Sequence, residues 1–163
     1  MKTRIFWIND NLGIMPRPLG GDELMGEIEH WKKLEINTIV SFLTDDENEE
    51  LGLEYERMDC RREGFDFIKF PIQDRQTPDS FLKTKELVSI LIDKINNNQK
   101  TLMHCRGGIG RVSIIGASII SVLNNVRTKD SFEHISNIRG LKVPDTDEQI
   151  LWTEEFFDKI KRK

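Results

Sequence analysis

The chain reads Thr101-Leu102-Met103-His104-Cys105-Arg106-Gly107-Gly108-Ile109-Gly110-Arg111-Val112-Ser113 over the stretch from which the fold is most readily inferred. A short apolar run leads into a cysteine, a five-residue loop with three glycines follows, and an arginine begins an apolar helix. Glycine allows backbone conformations that point successive N–H groups at one spot, and the helix N-terminus adds partial positive charge there. The stretch therefore predicts a strand, an anion-binding loop and a helix.

The side chains of this stretch suit a tetrahedral oxyanion such as phosphate. The predicted phosphate-binding residues are Arg106, Gly107, Gly108, Ile109, Gly110 and Arg111, and the Arg111 guanidinium can grip two phosphate oxygens. We expect Cys105 at the rim of the loop, where the positive field favours its nucleophilic thiolate. A structural cysteine in a tight turn needs neither the glycines nor an arginine at this offset. His104 is expected to support the loop by hydrogen bonding.

Composition narrows the functional class. The 163 residues carry a net charge of −4, with 37% hydrophobic and 32% charged residues, which suits one globular domain over residues 1–163. An acidic chain argues against nucleic-acid and membrane partners. The two cysteines form no disulfide framework, and the N-terminus lacks the apolar stretch of a signal peptide, so we expect a cytoplasmic location. The longest apolar segment, residues 112–123, is too short to span a bilayer.

Strand and helix patterns alternate along the chain, which predicts an α/β fold with a central, mostly parallel sheet of four to five strands in a three-layer sandwich. The predicted strands are residues 3–8, 37–43, 65–71 and 100–104. The predicted helices are residues 22–34, 79–98, 111–124, 128–139 and 146–161, with Asp22 capping the first. Residues 11–21 are predicted as a loop. Residues 44–62 are predicted as an acidic helical segment whose charges form a solvated face.

His-Cys followed by five residues and an arginine resembles the signature loop of the cysteine-dependent protein tyrosine phosphatases, in particular the dual-specificity type. Specific motifs carry this resemblance over residues 65–160. It implies a phosphatase that needs no metal or cofactor and acts on a phosphorylated protein through a phosphocysteine on Cys105. No aromatic-lined recognition loop was identified, so the resemblance implies a shallow pocket that accepts phosphotyrosine, phosphoserine and phosphothreonine. The reactive loop also lacks the lysine of lipid phosphatases in this superfamily.

A general acid is predicted in the acid loop, which we define as residues 72–79. A phosphate ester is cleaved faster when an acid protonates the leaving oxygen. The sequence from Phe70 to Asp79 resembles the acid loop of dual-specificity phosphatases, which assigns the acid to Asp74, 105 − 74 = 31 residues before Cys105. Asp79 is instead predicted to cap the helix that follows.

Other positions leave alternatives open. Many members of the family have serine or threonine after the loop arginine, whereas this chain has Val112, so we expect slow hydrolysis of the phosphoenzyme. The same departure motivates the alternative of a phosphate-recognition module with little or no turnover. A sulfur transferase or arsenate reductase would not need this aspartate loop.

Three further residues have two interpretations each. Gln149 falls where tyrosine phosphatases position water, which gives it a supporting role, and Thr146 with Gln149 also forms a capping box. Arg139 fits either a residue that holds the reactive loop or a solvated arginine at a helix end. Cys60 fits either a redox partner of Cys105 or an inert thiol.

Overall fold

A five-stranded sheet forms the centre of the protein. The computed structural model describes residues 2–162. The strands are β1 (Phe6–Asn9), β2 (Leu12–Met15), β3 (Ile36–Ser41), β4 (Asp66–Lys69) and β5 (Lys100–His104), in the spatial order β1-β2-β5-β3-β4. β1 is antiparallel to β2, and the other neighbours are parallel. The predicted α/β fold with a mostly parallel sheet is confirmed.

Helices cover both faces of this sheet. They are α1 (Leu24–Lys33), α2 (Asp45–Glu50), α3 (Glu56–Arg62), α4 (Phe81–Asn96), α5 (Arg111–Asn124), α6 (Thr128–Arg139) and α7 (Asp147–Lys161). In the sheet, Ile39 and Leu102 belong to the apolar cluster with α1 and α3, whereas Val40 and Met103 belong to the cluster with α4 to α7. Successive strand residues point to opposite faces, so the two clusters make the outer interfaces of three layers. No helix within residues 2–162 has the length and apolar character needed to cross a membrane.

The structure corrects the sequence analysis near the N-terminus. Residues 12–15 form β2, which was predicted as loop, and β1 begins at Phe6 rather than at residue 3. Leu12 and Ile14 are fully buried between β1 and β5. The strand is only four residues long and contains Gly13, so its apolar residues do not form a recognisable strand pattern. Asp22 caps no helix: a 3₁₀ turn at Gly21–Glu23 precedes α1.

The acidic segment is also not one helix. α2 and α3 are separate, and Glu47 and Glu56 are buried rather than part of a solvated face.

Further along, Ser80 rather than Asp79 caps α4, because the Ser80 side chain accepts a hydrogen bond from Lys83 N. The β5 and α5 boundaries agree with the sequence prediction. β5 is the middle strand of the sheet, so its last residues deliver the reactive loop, residues 105–110, to the centre of one edge.

Candidate active site

The reactive loop passes very close to the end of β2. Gly108 has φ +68°, and a Cβ there would lie 2.5 Å from Pro16 N and 2.7 Å from Met15 C. Both the left-handed backbone and the close approach require glycine. Arg17 N also donates a hydrogen bond of 3.1 Å to Arg106 O. The predicted Gly-rich loop is therefore held in one conformation by the neighbouring strand end.

Arg139 holds the outer side of the same loop. Its Nε donates to Gly108 O at 2.9 Å and its Nη2 to Gly107 O at 3.3 Å, while the guanidinium lies 4.2 Å above the Phe6 ring. Burial lowers the pKa of Arg139, and a negative charge on Cys105 opposes that effect. In a planar trans peptide the N–H points away from the C=O, so carbonyls turned toward Arg139 leave the loop N–H groups on the other side. Of the two interpretations of Arg139, the structure supports the one that holds the loop.

Cys105 lies deeper than the sequence analysis expects. The residue is 2% exposed and belongs to the core cluster beneath the loop rather than to its rim. It follows the central strand β5 directly, which explains the depth. A negative charge on its sulfur would favour the protonated forms of both Arg111 and Arg139, so the sulfur lies within the field of two guanidinium groups.

Arg111 is the most highly connected side chain of the site. It is 1% exposed and forms a bidentate pair with Glu47, with Nη1–Oε1 at 2.7 Å and Nη2–Oε2 at 2.9 Å. Nη1 also donates to Ile72 O at 2.8 Å, and Nη2 donates to Asp74 Oδ1 at 3.1 Å. Burial lowers the pKa of Arg111, but the pair with Glu47 and the charge of Cys105 outweigh this and raise it. Arg111 thus joins α5, α2 and the acid loop.

Glu47 is a site residue that the sequence analysis missed. Burial would raise the pKa of its carboxyl, yet hydrogen bonds from Arg111 and Thr44 lower it overall. Thr44 and Glu47 form a capping box at the start of α2, which fixes the carboxylate opposite Arg111. The Thr-x-x-Glu pattern was visible in the sequence, but its partner lies 64 residues away.

The acid loop is tied to the start of α7. Gln149 is fully buried; its Nε2 donates to Gln76 O at 3.0 Å, and its Oε1 accepts from Asp145 N at 2.9 Å. Thr146 and Gln149 form the predicted capping box of α7. A Cβ on Gly110 would lie 3.0 Å from the Gln149 amide, so this side chain lies beside the reactive loop as well. Both interpretations of Gln149 therefore agree with its position.

The remaining predicted residues lie around this centre. The Arg106 side chain is 39% exposed and pairs with Glu50 at 3.1 Å. The His104 ring does not bond the loop as expected; Nε2 lies 2.7 Å from Glu56 Oε2 on α3. Cys60 is a free, buried thiol in the other core cluster from Cys105, where burial, followed by the charges of Glu56 and Asp59, raises its pKa. The structure therefore supports the inert interpretation of Cys60.

Comparison with protein families agrees with this geometry. The model described as "Polymorphic toxin system, DSP-PTPase phosphatase" matches residues 15–125, which is well over half of the chain and runs from the last residue of β2 to the end of α5. The chain belongs to this DSP-PTPase family. The resemblance to dual-specificity phosphatases is confirmed, and the match ends where α5 ends, so α6 and α7 lie beyond it.

Curated relatives of this DSP-PTPase chain match parts of their length. Cyclin-dependent kinase inhibitor 3 of Rattus norvegicus is 32% identical over 91 residues, which are 55% of this chain and 42% of that protein. Putative tyrosine phosphatase 067L of invertebrate iridescent virus 3 is 35% identical over 68 residues, which are 40% of this chain and 28% of that protein. The chain thus aligns with less than half the length of either relative.

Solved structures share the whole fold of this DSP-PTPase chain. A kinase-associated phosphatase whose catalytic cysteine is replaced by serine has a TM-score of 0.89 and 23% identity, covering 100% of this chain and 98% of that chain. Tk-PTP in its active form has a TM-score of 0.79 and 20% identity, covering 95% of this chain and 97% of that chain. At these identities the likeness concerns the fold.

Two neighbouring glycines give a matched test of the reactive loop. Gly108→Ala should weaken the binding of inorganic phosphate about 100-fold, because its Cβ meets the β2 backbone and the loop must move. Gly107→Ala is the control: its Cβ would meet only the Ile109 side chain, at 3.7 Å, so binding should change by about twofold or less. Isothermal titration of both variants measures this. Equal losses in the two would contradict the role of the close approach at Gly108.

The pair of Glu47 and Arg111 predicts a pH dependence of stability. Folding lowers the pKa of Glu47, so its stabilisation is complete above the ordinary glutamate value of about 4.3 and is lost as the pH falls through the lowered value. Glu47→Gln should lower the free energy of unfolding by about 1–3 kcal/mol at pH 7 and flatten its decline in acid. Urea denaturation at several pH values measures both effects.

Glu50→Gln is the control for this experiment. Glu50 lies on the same helix and contacts Arg106, but its side chain is 63% exposed. The free energy of unfolding of Glu50→Gln should stay within about 0.5 kcal/mol of the wild-type value at pH 7. It should also fall with decreasing pH as it does in the wild type. If the two variants behave alike, Glu47 has no special part in holding Arg111.

Proposed function

We propose that the chain is a protein phosphatase that hydrolyses phosphotyrosine, and also phosphoserine and phosphothreonine, through a phosphocysteine on Cys105. The observation that carries this proposal is the position of Arg111, which bonds Asp74 at 3.1 Å and lies in the field of Cys105. In this proposal the nucleophile and the phosphate-binding group come from the same stretch, residues 105–111, and the acid comes from the acid loop, 37 residues before Arg111. Family membership supports the same reaction class.

In the first step the Cys105 thiolate attacks phosphorus in line with the leaving oxygen. The guanidinium of Arg111 and the N–H groups of Arg106, Gly107, Gly108, Ile109 and Gly110 hold the three equatorial oxygens. Asp74 donates its proton to the leaving oxygen as the P–O bond breaks. The dephosphorylated hydroxyl leaves, and the phosphoryl group remains on sulfur.

In the second step water attacks the phosphocysteine and gives a proton to the Asp74 carboxylate. Inorganic phosphate and the Cys105 thiolate are the products. Gln149 supports this step by holding the acid loop through Gln76 O beside Gly110. His104 supports the site from the end of β5, and Arg106 contributes its backbone N–H while its side chain pairs with Glu50.

The exposure of the acid loop supports a phosphoprotein substrate. Asp74 is an exposed residue whose side chain keeps 49% of its surface accessible, so the acid lies at an open, shallow site. Such a site admits the short side chains of phosphoserine and phosphothreonine as well as phosphotyrosine.

The net charge of −4 disfavours nucleic-acid and membrane partners, and the free Cys60 and Cys105 suit a reducing cytoplasm.

Steady-state assays with aryl and alkyl phosphates test this function. Cys105→Ser should abolish turnover, and Asp74→Asn should lower kcat about 10²–10⁴-fold, with a larger loss for the more basic alkoxide leaving group. Asp79→Asn is the control in the same loop and should retain nearly full activity. Turnover by Cys105→Ser at the wild-type rate would contradict the mechanism. A wild type that binds phosphate tightly without turnover would favour the recognition-module alternative.

Val112 predicts which step is slow. Val112 is fully buried, and the neighbouring Ser113 points its hydroxyl into the interior, where it has no hydrogen-bond partner. No hydroxyl at position 112 stabilises the leaving thiolate, so the phosphoenzyme should accumulate. Val112→Ser and Val112→Thr should raise the steady-state rate about tenfold and shrink the initial burst, whereas Val112→Ala should do neither. An unchanged rate in both hydroxyl variants would contradict this role.

A further inference from the structure

A cavity of about 440 Å³ lies between α2, α3 and the ends of β3 and β4, and we call it the α2–α3 cavity. Its charged walls carry four acidic and two basic side chains: Asp45, Glu49, Glu54 and Glu56, and Arg57 and Lys69. Lys69 forms an ion pair with Asp45. Glu49 and Glu54 are exposed, and neither forms an ion pair within residues 2–162. The cavity therefore favours a cation.

Two hydrogen-bond acceptors in the wall of this cavity have no donor. The Glu56 side chain is 2% exposed, and its Oε2 lies 2.7 Å from His104 Nε2. Its Oε1 is buried without a hydrogen-bond partner, and the same holds for Oδ1 of Asn48, which lines the cavity as well. A buried acceptor without a donor costs free energy, so a ligand that supplies N–H groups would be stabilised here.

The uncharged part of the wall suits a flat cation. Phe67 and Leu53 are both buried and both line the cavity. A guanidinium presents several N–H donors in one plane, is more weakly hydrated than an ammonium, and stacks on aromatic rings. A metal ion fits less well, because no group of three or more His, Cys, Asp or Glu side chains within residues 2–162 is arranged to hold one.

We propose that the α2–α3 cavity is a binding site for a guanidinium group. The guanidinium donates hydrogen bonds to Glu56 Oε1 and Asn48 Oδ1, and the exposed carboxylates of Glu49 and Glu54 attract it. The site is separate from the reactive loop, so the proposal goes beyond the proposed function, and binding of the group does not require phosphatase activity.

The position of the cavity gives the guanidinium two sources. Ser41 lines the cavity and is in register with His104, the residue before Cys105, so the cavity and the reactive loop lie at the same edge of the sheet. Neighbouring strands are about 4.8 Å apart, and an extended peptide advances about 3.3 Å per residue. An arginine about two to three residues from a phosphorylated residue is therefore within reach of the cavity at the ends of β3 and β4. A free small guanidinium compound is the other source.

NMR titration with methylguanidinium and methylammonium at constant ionic strength tests the site itself. The wild type should bind methylguanidinium about tenfold more tightly than methylammonium. Glu56→Gln should weaken methylguanidinium binding about tenfold. Glu49→Gln and Glu54→Gln, at exposed positions, keep the proposal testable if Glu56→Gln does not fold, and each should weaken binding about two- to fivefold.

Asp46→Asn is the matched control for this titration. It removes the same charge from the exposed surface of α2, but Asp46 does not line the cavity, so binding should change by less than about twofold. No binding of methylguanidinium to the wild type, equal binding of methylammonium, or equal losses in Asp46→Asn and Glu49→Gln would each overturn the proposal.

Phosphotyrosine peptides distinguish the two sources, and this experiment alone rests on the proposed function. Each peptide carries arginine, or its uncharged analogue citrulline, two or three residues from the phosphotyrosine. An arginine peptide with kcat/KM about fivefold above that of its citrulline partner, and a smaller ratio in Glu49→Gln, would assign the site to the substrate. Equal kcat/KM values with methylguanidinium still bound would assign it to a free guanidinium compound. A wild type inactive toward every peptide would contradict the proposed function, whereas the titration would still decide the cavity.

Discussion

The buried ion pair of Arg111 and Glu47 is the interaction on which the rest of the site depends. A guanidinium that is 1% exposed must be fully compensated, and its partners come from two segments: Glu47 on α2, and Ile72 O and Asp74 in the acid loop. The same hydrogen bonds fix the direction of the guanidinium, the start of α5 and the entry to the acid loop. If the proposed function holds, folding therefore places the positive charge that a phosphate needs before the substrate arrives.

The proposed phosphate site lies in an acidic protein whose positive charges are arranged locally. The net charge is −4, yet Arg111 and Arg139 both interact electrostatically with Cys105. The carboxylate of Glu47 lies one layer further out, where it pairs with Arg111. Negative charge in that outer layer holds the guanidinium in place. Arg139 also stabilises the conformation of the reactive loop, because its Nε donates a hydrogen bond to Gly108 O.

The fold class and the elements on either side of the reactive loop could be predicted from the sequence because those signals are local. β5, the glycine loop and α5 are contiguous, and their boundaries agree with the prediction. β2 was missed because four residues interrupted by Gly13 carry little periodicity, although their burial between β1 and β5 is complete. Glu47 and Glu56 were missed for a different reason. In an acidic run each resembles a solvated residue, and only the folded chain shows that Arg111 and His104, 64 and 48 residues away, remove them from water.

Detection of the covalent intermediate tests the central claim most directly. Wild-type protein mixed with an aryl phosphate should be denatured within milliseconds and digested, and the peptides should be analysed by mass spectrometry. A transient phosphoryl group on Cys105, formed before phosphate release and lost as turnover proceeds, is the predicted result. Phosphate release with no phosphoryl group on Cys105, or with the group on another residue, would contradict an active site built around Cys105 and Arg111.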